Sequence, residues 1–416
     1  RDWSSDVCSS DLLHVRPILN MKNDGAKKRR AIAEEACALV RSYKGAAYSG
    51  EHGDGLVRSE WIEPIIGPRL TAALGEVKAI FDPKGLMNPG KIVNPPRQDD
   101  RTIMRYKPGH RTLDIQTALD WTAWIGRDNP QGAAESGLAA AVEMCNNNGH
   151  CRKFDAGTMC PSFRVTHDEQ HLTRGRANTL RLAVSGQLGP EGLASEEVRA
   201  TLDLCVSCKG CRRECPTGVD MAKVKVEALN QYHAKHGWSL KDRVIAHLPR
   251  YAPMAAAMAW LANAARPMAT MLGFAAQRTL PEWRGDAFLK TAKESTGATG
   301  EVLLFADTFN NYFEPENLRS AQAVLAAAGY RVHLAKPADG GRPLCCGRTY
   351  LATGMVEEAK VEARRLLAAV KPYVTRGVPI VGLEPSCLLG LRDELLSMLP
   401  GAESEFRQFP AGGFRF

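Results

Sequence analysis

The sequence lacks two features that would place it outside the cell or on nucleic acid. It has no N-terminal signal peptide, so the twelve cysteines among its 416 residues indicate a reducing compartment rather than a disulfide framework. It also has no basic run interleaved with aromatic residues, and its net charge of +8 is spread along the chain. This argues against nucleic-acid binding and only weakly for anionic substrates or membrane surfaces. We expect a cytoplasmic protein, with peripheral contact to the inner face of the cell membrane as a further possibility.

An unbroken apolar run long enough to cross a membrane is also lacking. Residues 251–276 are almost wholly apolar, but Pro253, Arg266 and Pro267 interrupt them. A helical connector packed on a neighbouring domain is the favoured interpretation. A segment that docks on a membrane surface is the alternative.

Length and changes in composition predict several domains. Residues 1–12 begin with arginine and have neither helical nor strand periodicity, so we expect a leader that is foreign to the rest of a fragment. The predicted domains follow in this order: a truncated α+β domain at 13–98, a polar linker at 99–133, a helical cysteine-bearing domain at 134–240, an apolar helical connector at 241–298, and a truncated parallel α/β domain at 299–416.

Periodicity places the elements of the first and last domains. Residues 13–19 alternate as a strand with His14 and Arg16 on one face, a helix with an Asn or Asp cap follows, and a second helix spans residues 68–81. In residues 299–416, strand and helix patterns alternate as in a parallel α/β fold. Cysteines stand in the loops after its strands, at the edge of the sheet where ligands gather: Cys345, Cys346 and Cys387.

A run of cysteines between residues 204 and 218 has the spacing C-x2-C-x2-C-x3-C-P. Its members are Cys205, Cys208, Cys211 and Cys215. This spacing is typical of iron-sulfur proteins, in which three thiolates hold one cluster and the fourth, next to a proline, turns toward a second. A zinc-binding interaction module is a less favoured alternative, because zinc motifs usually bring two C-x2-C pairs far apart in sequence. The run therefore indicates electron transfer.

Three cysteines upstream of this run are less regular. Cys145, Cys151 and Cys160 are separated by five and eight residues, so one thiolate of a regular run is missing. If the partners cross as in two-cluster ferredoxins, one [4Fe-4S] cluster is held by Cys160, Cys205, Cys208 and Cys211. A possible second cluster is then left with Cys145, Cys151 and Cys215, and His150 is a weak candidate for its fourth ligand. We predict one stable cluster.

A glycine-rich loop, SGEHGDG at residues 49–55, carries a carboxylate and an imidazole side by side. Glycines let the backbone approach a ligand closely, so Glu51 and His52 are candidate site residues. Histidine titrates near neutral pH, so we predict His52 as a general base. A turn in which His52 only packs or caps is the alternative.

Two longer motifs, YSGEHGDGLVRSEW and IFDPKGLMNPGKIV, resemble the C-terminal half of the FAD-linked oxidases that dehydrogenate D-2-hydroxy acids such as D-lactate, glycolate and D-2-hydroxyglutarate. The resemblance implies FAD as cofactor, a divalent metal (zinc first) held by Glu51 and His14, and Asn88 near the flavin. Arg16 is a candidate partner of the substrate carboxylate, and an exposed strand arginine is an equal alternative. The family's flavin-binding domain is expected before residue 13, so we expect the fragment alone to be inactive.

Two further resemblances concern the cysteines. MCNNNGHCRKFDAGTMCPSF resembles the iron-sulfur module fused behind such flavin domains in bacteria. The CCG and EPSC motifs, which contain Cys345, Cys346 and Cys387, resemble the cysteine-rich domain of glycolate oxidase iron-sulfur subunits and heterodisulfide reductases. The resemblance implies redox or cluster thiols there, and buried apolar cysteine is the alternative.

Taken together, these features predict a flavin and iron-sulfur dehydrogenase that oxidises a D-2-hydroxy acid, D-lactate or D-2-hydroxyglutarate. Electrons are expected to pass from FAD through a 4Fe-4S cluster to a quinone or a cytochrome. The alternative is a non-catalytic electron-transfer subunit, and it is disfavoured because such a subunit has no use for the SGEHGDG and LMNPGKIV motifs. A homo-oligomer is possible.

Overall fold

A computed structural model describes residues 3–7, 13–45, 47–125, 137–402 and 414–415, with the backbone alone at 3–7, 13–16, 402 and 414–415. The chain divides into two compact units, Arg1–Arg111 and Thr112–Phe416.

The first unit contains a strand pair and four α-helices in its described residues. They are β1 (Trp3–Val7), β2 (Leu13–Pro17), α1 (Gly25–Ser42), α2 (Gly55–Arg58), α3 (Ile62–Ile66) and α4 (Pro68–Phe81), with 3-10 turns at Ser59–Trp61 and Arg101–Ile103. The helix predicted over 68–81 is observed there. Proline in its first turn presets the backbone angle, and the residue before Pro83 ends it.

The beginning of the chain differs from the expectation. Residues 3–7, which the sequence left without regular structure, form β1 and pair antiparallel with β2, with Val7 opposite Leu13. Backbone hydrogen bonds make this ladder, and they do not require an alternating side-chain pattern. Cys8 lies outside the described residues.

A partly buried ion network ties α1 of the first unit to the segment that follows α4. Arg30 on α1 donates to Glu60 and to Asp99, each at 3.0 Å, and its guanidinium lies 5.6 Å from the centre of the Trp61 ring. The Glu60 carboxylate also accepts from the backbone N–H of Gln98 at 2.7 Å. Hydrogen bonds from Arg97 and Arg30 lower the pKa of Asp99 to about 2. This network fixes the 3-10 turn that contains Glu60.

The second unit is mainly helical in its described residues. Its α-helices are α5 (Gly137–Glu143), α6 (Pro161–Thr166), α7 (Thr173–Val184), α8 (Glu196–Asp203), α9 (Gly210–Glu214), α10 (Met221–His236), α11 (Leu240–Ala246), α12 (Leu248–Ala257), α13 (Ala259–Ala264), α14 (Phe288–Thr291), α15 (Thr308–Tyr312), α16 (Pro315–Ala327), α17 (Arg348–Ala352), α18 (Val356–Thr375), α19 (Pro385–Gly390) and α20 (Glu394–Met398). Its 3-10 helices are Thr122–Trp124, His150–Arg152, Glu169–His171, Gly192–Ala194, Arg266–Leu272 and Pro400–Ala402.

Part of the segment predicted as a linker is packed into this unit. Leu119 and Trp121 are buried. The fully buried Glu227 on α10 accepts hydrogen bonds from the N–H groups of Ala118 and Leu119 at 2.9 and 3.0 Å, and from the Trp121 indole at 3.2 Å. A buried carboxylate needs such donors, so residues 112–125 form part of the second unit rather than a free linker.

A small parallel sheet forms the last part of the unit. Its strands are β3 (Gly300–Phe305), β4 (Tyr330–Leu334), β5 (Ile380–Gly382) and β6 (Phe414–Arg415), in the order β4-β3-β5-β6. The predicted parallel α/β pattern is observed. Leu303, Leu304 and Phe305 are all buried, as expected for a strand covered on both faces.

The turn after α17, at Thr353 and Gly354, is held against α10 and the residues that follow it. The Asn230 side chain donates to the Gly354 carbonyl at 2.9 Å, and the Trp238 indole donates to the Thr353 carbonyl at 3.0 Å. Gly354 has φ +76°, and a Cβ there would lie 2.7 Å from the Asn230 nitrogen. Only glycine fits this approach.

The apolar segment at 251–276 is helical. Its described helices, α12, α13 and the 3-10 helix after them, are short, and Ala252 and Ala256 pack into a cluster with Ala287 and Tyr312. Within the described part of the chain, no helix is long and apolar enough to span a membrane.

Candidate functional site

Cysteines from separate segments of the second unit line one small cavity. Cys160 directly precedes α6, and the others come from the loop before α9 and from its first turn: Cys205, Cys208 and Cys211. Cys160 and Cys211 are buried, whereas Cys208 is exposed. These are the four cysteines that the spacing assigned to one cluster.

The loop that carries the last three of these cysteines has an unusual backbone. Ser207 and Lys209 adopt left-handed conformations, with φ 53° and 59°, which bulky residues avoid unless the surroundings fix them. The curled backbone donates N–H groups to the sulfurs, from Gly210 to Cys208 and from Met221 to Cys211.

The acidity of these thiols indicates whether they suit an iron-sulfur cluster. Burial raises the pKa of Cys211 to about 12 and raises that of Cys208, and neighbouring thiols add to both effects. Thiols buried side by side form thiolates when a metal neutralises them. The set therefore fits an iron-sulfur cluster, although ligation by these residues stays a prediction.

A buried arginine also faces this cavity. Arg176 on α7 is 1% exposed and lines the cavity. Its guanidinium donates to the Thr201 carbonyl at 3.2 Å, to the Ser162 hydroxyl at 2.8 Å and to the Cys160 sulfur at 3.3 Å. None of these acceptors is a carboxylate, so the buried cation fits beside a group of negative charge such as a thiolate-ligated cluster.

The remaining cysteines of this region are arranged differently. Cys145 and Cys151 are buried. Burial raises the pKa of Cys151, and the neighbouring Cys145 thiol adds a smaller contribution. Burial opposes ionisation of Cys215, but hydrogen bonds from Thr217 and from the backbone N–H groups of residues 217–219 lower its pKa. His150 is exposed. A second cluster with these residues stays a prediction.

The second unit contains another cysteine group, at the carboxyl ends of its parallel strands. The sulfurs of Cys346 and Cys387 lie 3.0 Å apart, and the N–H of Gly347 donates to Cys345 at 3.4 Å. Hydrogen bonding to Cys346, and then burial, raise the pKa of Cys345. Gly347 has φ +84°, and a Cβ there would lie 3.0 Å from the Ala359 carbonyl oxygen, so the turn depends on glycine.

Ion pairs join the two cysteine groups. Lys209, between two cysteines of the cavity, lies 2.9 Å from Glu394, and Arg348, two residues after Cys346, lies 3.3 Å from the same carboxylate. Lys209 also pairs with Asp393. Burial alone would raise the pKa of Asp393, but the hydrogen bond and charge of Lys209 lower it below its usual value. The charged bridge keeps α17 close to the cavity loop.

In the first unit, the glycine-rich loop presents its two candidate residues at the surface. His52 is 63% exposed and Glu51 is 47% exposed, with His52 Nε2 and Glu51 Oε2 3.6 Å apart. Gly53 has a positive φ of 68°, and its carbonyl accepts from the Ser49 hydroxyl at 2.7 Å and from Arg58 at 2.9 Å. These bonds hold the turn and leave both side chains open to a ligand.

The turn containing Asn88 is held by Asp82. The Asp82 carboxylate accepts from the N–H groups of Leu86 and Met87 at 2.9 and 2.8 Å. Hydrogen bonds from the Lys78 side chain and from the backbone N–H of Met87 lower the pKa of Asp82 to about 2. Asn88 is exposed in a left-handed conformation, with φ 46°. The turn thus presents Asn88 and the exposed Leu86 and Met87 outward, and Asn88 as a flavin contact stays a prediction.

The predicted metal site cannot be assembled from the described side chains. His14 and Arg16 lie on β2, where the backbone alone is described. Among the described residues, no group of three or more histidine, cysteine or acidic side chains is placed to hold a single metal ion. Glu51 and His14 as metal ligands, and Arg16 as a substrate contact, therefore stay predictions.

Comparison with known proteins agrees with this division of the chain. Residues 10–92 match the C-terminal domain of the FAD linked oxidases, and residues 141–219 match the 4Fe-4S dicluster domain. The chain combines an FAD-linked oxidase C-terminal domain with a 4Fe-4S dicluster domain. No solved structure matches it significantly.

Among curated proteins, the chain is similar to D-2-hydroxyglutarate dehydrogenases over most of its length. It is 30% identical to that of Pseudomonas putida over 94% of this chain and 42% of the relative, and 26% identical to that of Escherichia coli over 95% and 42%. A probable glycolate oxidase iron-sulfur subunit of Bacillus subtilis is 31% identical over 21% of this chain and 19% of its own. The chain thus spans about two fifths of the length of its dehydrogenase homologues.

Two residues of the dicluster domain were missed by the sequence reasoning. Asn148 stands midway between Cys145 and Cys151, at the position that Cys208 has between Cys205 and Cys211, and its side chain accepts from the His150 N–H at 2.8 Å. The regular C-x2-N-x2-C spacing was the signal for it. Arg176 had no sequence signal, because an arginine in a helix is normally exposed.

Proposed function

We propose that this chain acts within an FAD-linked dehydrogenase that oxidises D-2-hydroxyglutarate to its 2-oxo acid and passes the electrons through a 4Fe-4S cluster to a quinone or a cytochrome. One observation carries the proposal. A single chain holds an exposed Glu51-His52 pair on a glycine-rich turn and a cavity lined by four cysteines. The substrate is proposed from the relatives named as D-2-hydroxyglutarate dehydrogenases.

The residues of the first unit have distinct roles in this proposal. His52 takes the proton from the substrate hydroxyl, which its exposure permits. Glu51 and His14 would hold a divalent metal, which would act as a Lewis acid on the substrate hydroxyl, and Arg16 would pair with a substrate carboxylate through its planar fork. Asn88 would contribute to the flavin site. FAD, when bound, accepts the hydride from the carbon that carries the hydroxyl.

The second unit carries the electrons away one at a time. Cys160, Cys205, Cys208 and Cys211 hold the cluster, and Arg176 balances its negative charge from inside the protein. Cys145, Cys151 and Cys215 form the site of a possible second cluster. The touching sulfurs of Cys346 and Cys387, with Cys345 beside them, are suited to redox chemistry as thiols.

A dye-reduction assay of the full-length protein tests the substrate. D-2-hydroxyglutarate, D-lactate, glycolate and L-2-hydroxyglutarate are compared at equal concentrations, and we expect reduction to be fastest with D-2-hydroxyglutarate and absent with its L enantiomer. Faster reduction with D-lactate or glycolate would reassign the substrate.

A non-catalytic electron-transfer subunit is the second candidate, favoured by the likeness to a glycolate oxidase iron-sulfur subunit. That function predicts a protein that oxidises none of the four acids, yet whose reduced cluster is reoxidised by an acceptor. The same assay therefore separates the two candidates.

A further inference from the structure

A large apolar cavity lies in the second unit, outside the sites described so far. Its volume is about 640 Å³, within the range of pockets that bind small organic molecules. One wall is formed by the apolar helices α11–α13 and the segment after them. Aromatic rings from several segments face it: Tyr251, Phe274, Trp283, Phe309 and Phe313.

The opposite wall of this cavity belongs to the cysteine group of the sheet. Arg348 and Thr349 from α17 and Glu384 and Ser386 from the start of α19 line it. Cys346 lies two residues before Arg348, and Cys387 directly follows Ser386. The sulfurs of Cys346 and Cys387, which lie 3.0 Å apart, therefore belong to residues next to the ones that line the cavity.

The same short helix also borders the predicted cluster. Arg348 and Ala352 of α17 line the apolar cavity and a second, smaller cavity whose other walls include Cys205 and Lys209. An α-helix is about 10 Å across with its side chains. The helix α17 and the smaller cavity thus lie between the apolar cavity and the loop that carries three of the four predicted cluster ligands.

A hydrogen-bonding group lines the apolar space. Arg266 enters it from the apolar segment, and its Nη1 donates to the Leu280 carbonyl at 3.0 Å. Arg348 lines the other wall, but its guanidinium donates at 3.3 Å to Glu394, which borders the smaller cavity. Guanidinium groups donate to carbonyl oxygens and stabilise a negative charge that develops on them.

The outer face of the apolar segment is itself apolar. Met254, Trp260, Met268 and Met271 are 61%, 77%, 62% and 81% exposed. Residues 248–272 thus line the cavity with some of their side chains and form this exposed apolar surface with others. An exposed apolar surface of this kind suits contact with lipid, in which a quinone is dissolved.

We propose that this cavity binds a quinone, with the ring between the aromatic side chains and a carbonyl oxygen toward Arg266. The redox part of the inference rests on the proposed function: the quinone takes two electrons, one at a time, from the cluster and two protons from water, and leaves as the quinol. An aromatic-lined pocket with a guanidinium group, near the predicted electron carrier, suits this acceptor better than a cytochrome, which would need a protein-sized surface.

Binding is measured on the oxidised full chain by quenching of tryptophan fluorescence with decylubiquinone, since Trp283 lines the cavity. We expect saturable quenching. Ala262→Phe fills the cavity and is expected to weaken binding by about tenfold or more, because Ala262 on α13 lines it. Ala264→Phe is the matched control on the same helix, at an exposed position outside the cavity, and is expected to bind normally.

A second measurement follows electron transfer without substrate. The cluster is reduced with dithionite, freed of excess reductant, and mixed with decylubiquinone. We expect the brown colour of the oxidised cluster to return quickly in the unchanged protein and in Ala264→Phe, and slowly in Ala262→Phe. Because no hydroxy acid is used, a dehydrogenase that fails in the dye assay does not affect this result.

Several outcomes would overturn the inference. Quenching that is the same in Ala262→Phe as in the unchanged protein would move the site elsewhere. Competition by decanol as strong as by the quinone would show a pocket for alkyl chains with no preference for the ring. Tight binding without reoxidation of the cluster would remove the acceptor role.

Discussion

The predicted cluster site and the glycine-rich loop hold their reactive groups in opposite ways. Around the cysteine cavity, Cys160, Cys211 and Arg176 are buried, and their contacts are made by three separate helices. At the loop, His52 and Glu51 are 63% and 47% exposed, and hydrogen bonds fix the backbone of the turn around them. The difference matches the proposed tasks. A cluster must be shielded and held at fixed distances, whereas a base must meet a substrate that arrives from solution.

The largest effect is expected at the predicted cluster site. Cys208→Ser should remove nearly all cluster iron, because three thiolates of one loop act together with Cys160. Iron and sulfide analysis of the anaerobically purified chain should give about four of each before the change and almost none after it. Cys37→Ser, at a buried cysteine of the first unit, is the control and should keep its iron.

A reproducible iron value near eight would contradict the single-cluster prediction. It would indicate a second cluster, held either by Cys145, Cys151 and Cys215 with a ligand that is not cysteine or by Cys345, Cys346 and Cys387. Asn148 and His150 would then be replaced in turn, and loss of half of the iron would identify the ligand.

At the exposed loop, His52→Ala should lower substrate-dependent flavin reduction by about 10²- to 10⁴-fold, the usual cost of removing a positioned base. Flavin content of the full-length protein should stay near normal, because the turn is held by Ser49 and Arg58 rather than by His52. Rapid flavin bleaching by substrate in the variant would remove His52 from the mechanism.

The predicted divalent metal gives a smaller effect at the same loop. Loss of a Lewis acid at the substrate hydroxyl should slow turnover by more than about tenfold, so exhaustive EDTA treatment should inhibit and zinc should restore activity. Glu51→Gln should behave like the chelated protein, whereas Glu63→Gln, at an exposed glutamate on α3, should not. Unchanged turnover with only iron in the protein would withdraw the metal.

The smallest effect concerns the charge beside the cluster. Arg176→Met removes a buried cation that donates to Cys160, so the reduced, more negative cluster loses more stabilisation than the oxidised one. A charge-assisted hydrogen bond of about 1.5–3 kcal/mol corresponds to a reduction potential lowered by roughly 60–130 mV. A spectroscopic redox titration measures it. Arg176→Lys should retain most of the potential, and a potential that does not move in Arg176→Met would assign the arginine a purely structural role.

Much of this organisation could be predicted from the sequence, and the failures have physical reasons. Pro68 and Asp82 predicted the two ends of α4. The cysteine spacing, read as in two-cluster ferredoxins, predicted the four cysteines that line the cavity. The packing of residues 112–125 was missed because it depends on Glu227, more than a hundred residues away. Arg176 was missed for the same reason, since burial of a charge depends on the partners that the fold brings to it.

The contact at Gly354 has a consequence for rate rather than for stability. Electron tunnelling slows steeply with each added ångström between donor and acceptor. The absence of a side chain at Gly354 lets the turn after α17 approach the backbone of Leu229 and Asn230 on α10. A larger residue at this position would push this turn away from α10. For the electron path that we propose between the predicted cluster and the cysteines of the sheet, the glycine therefore keeps the two segments at their smallest spacing.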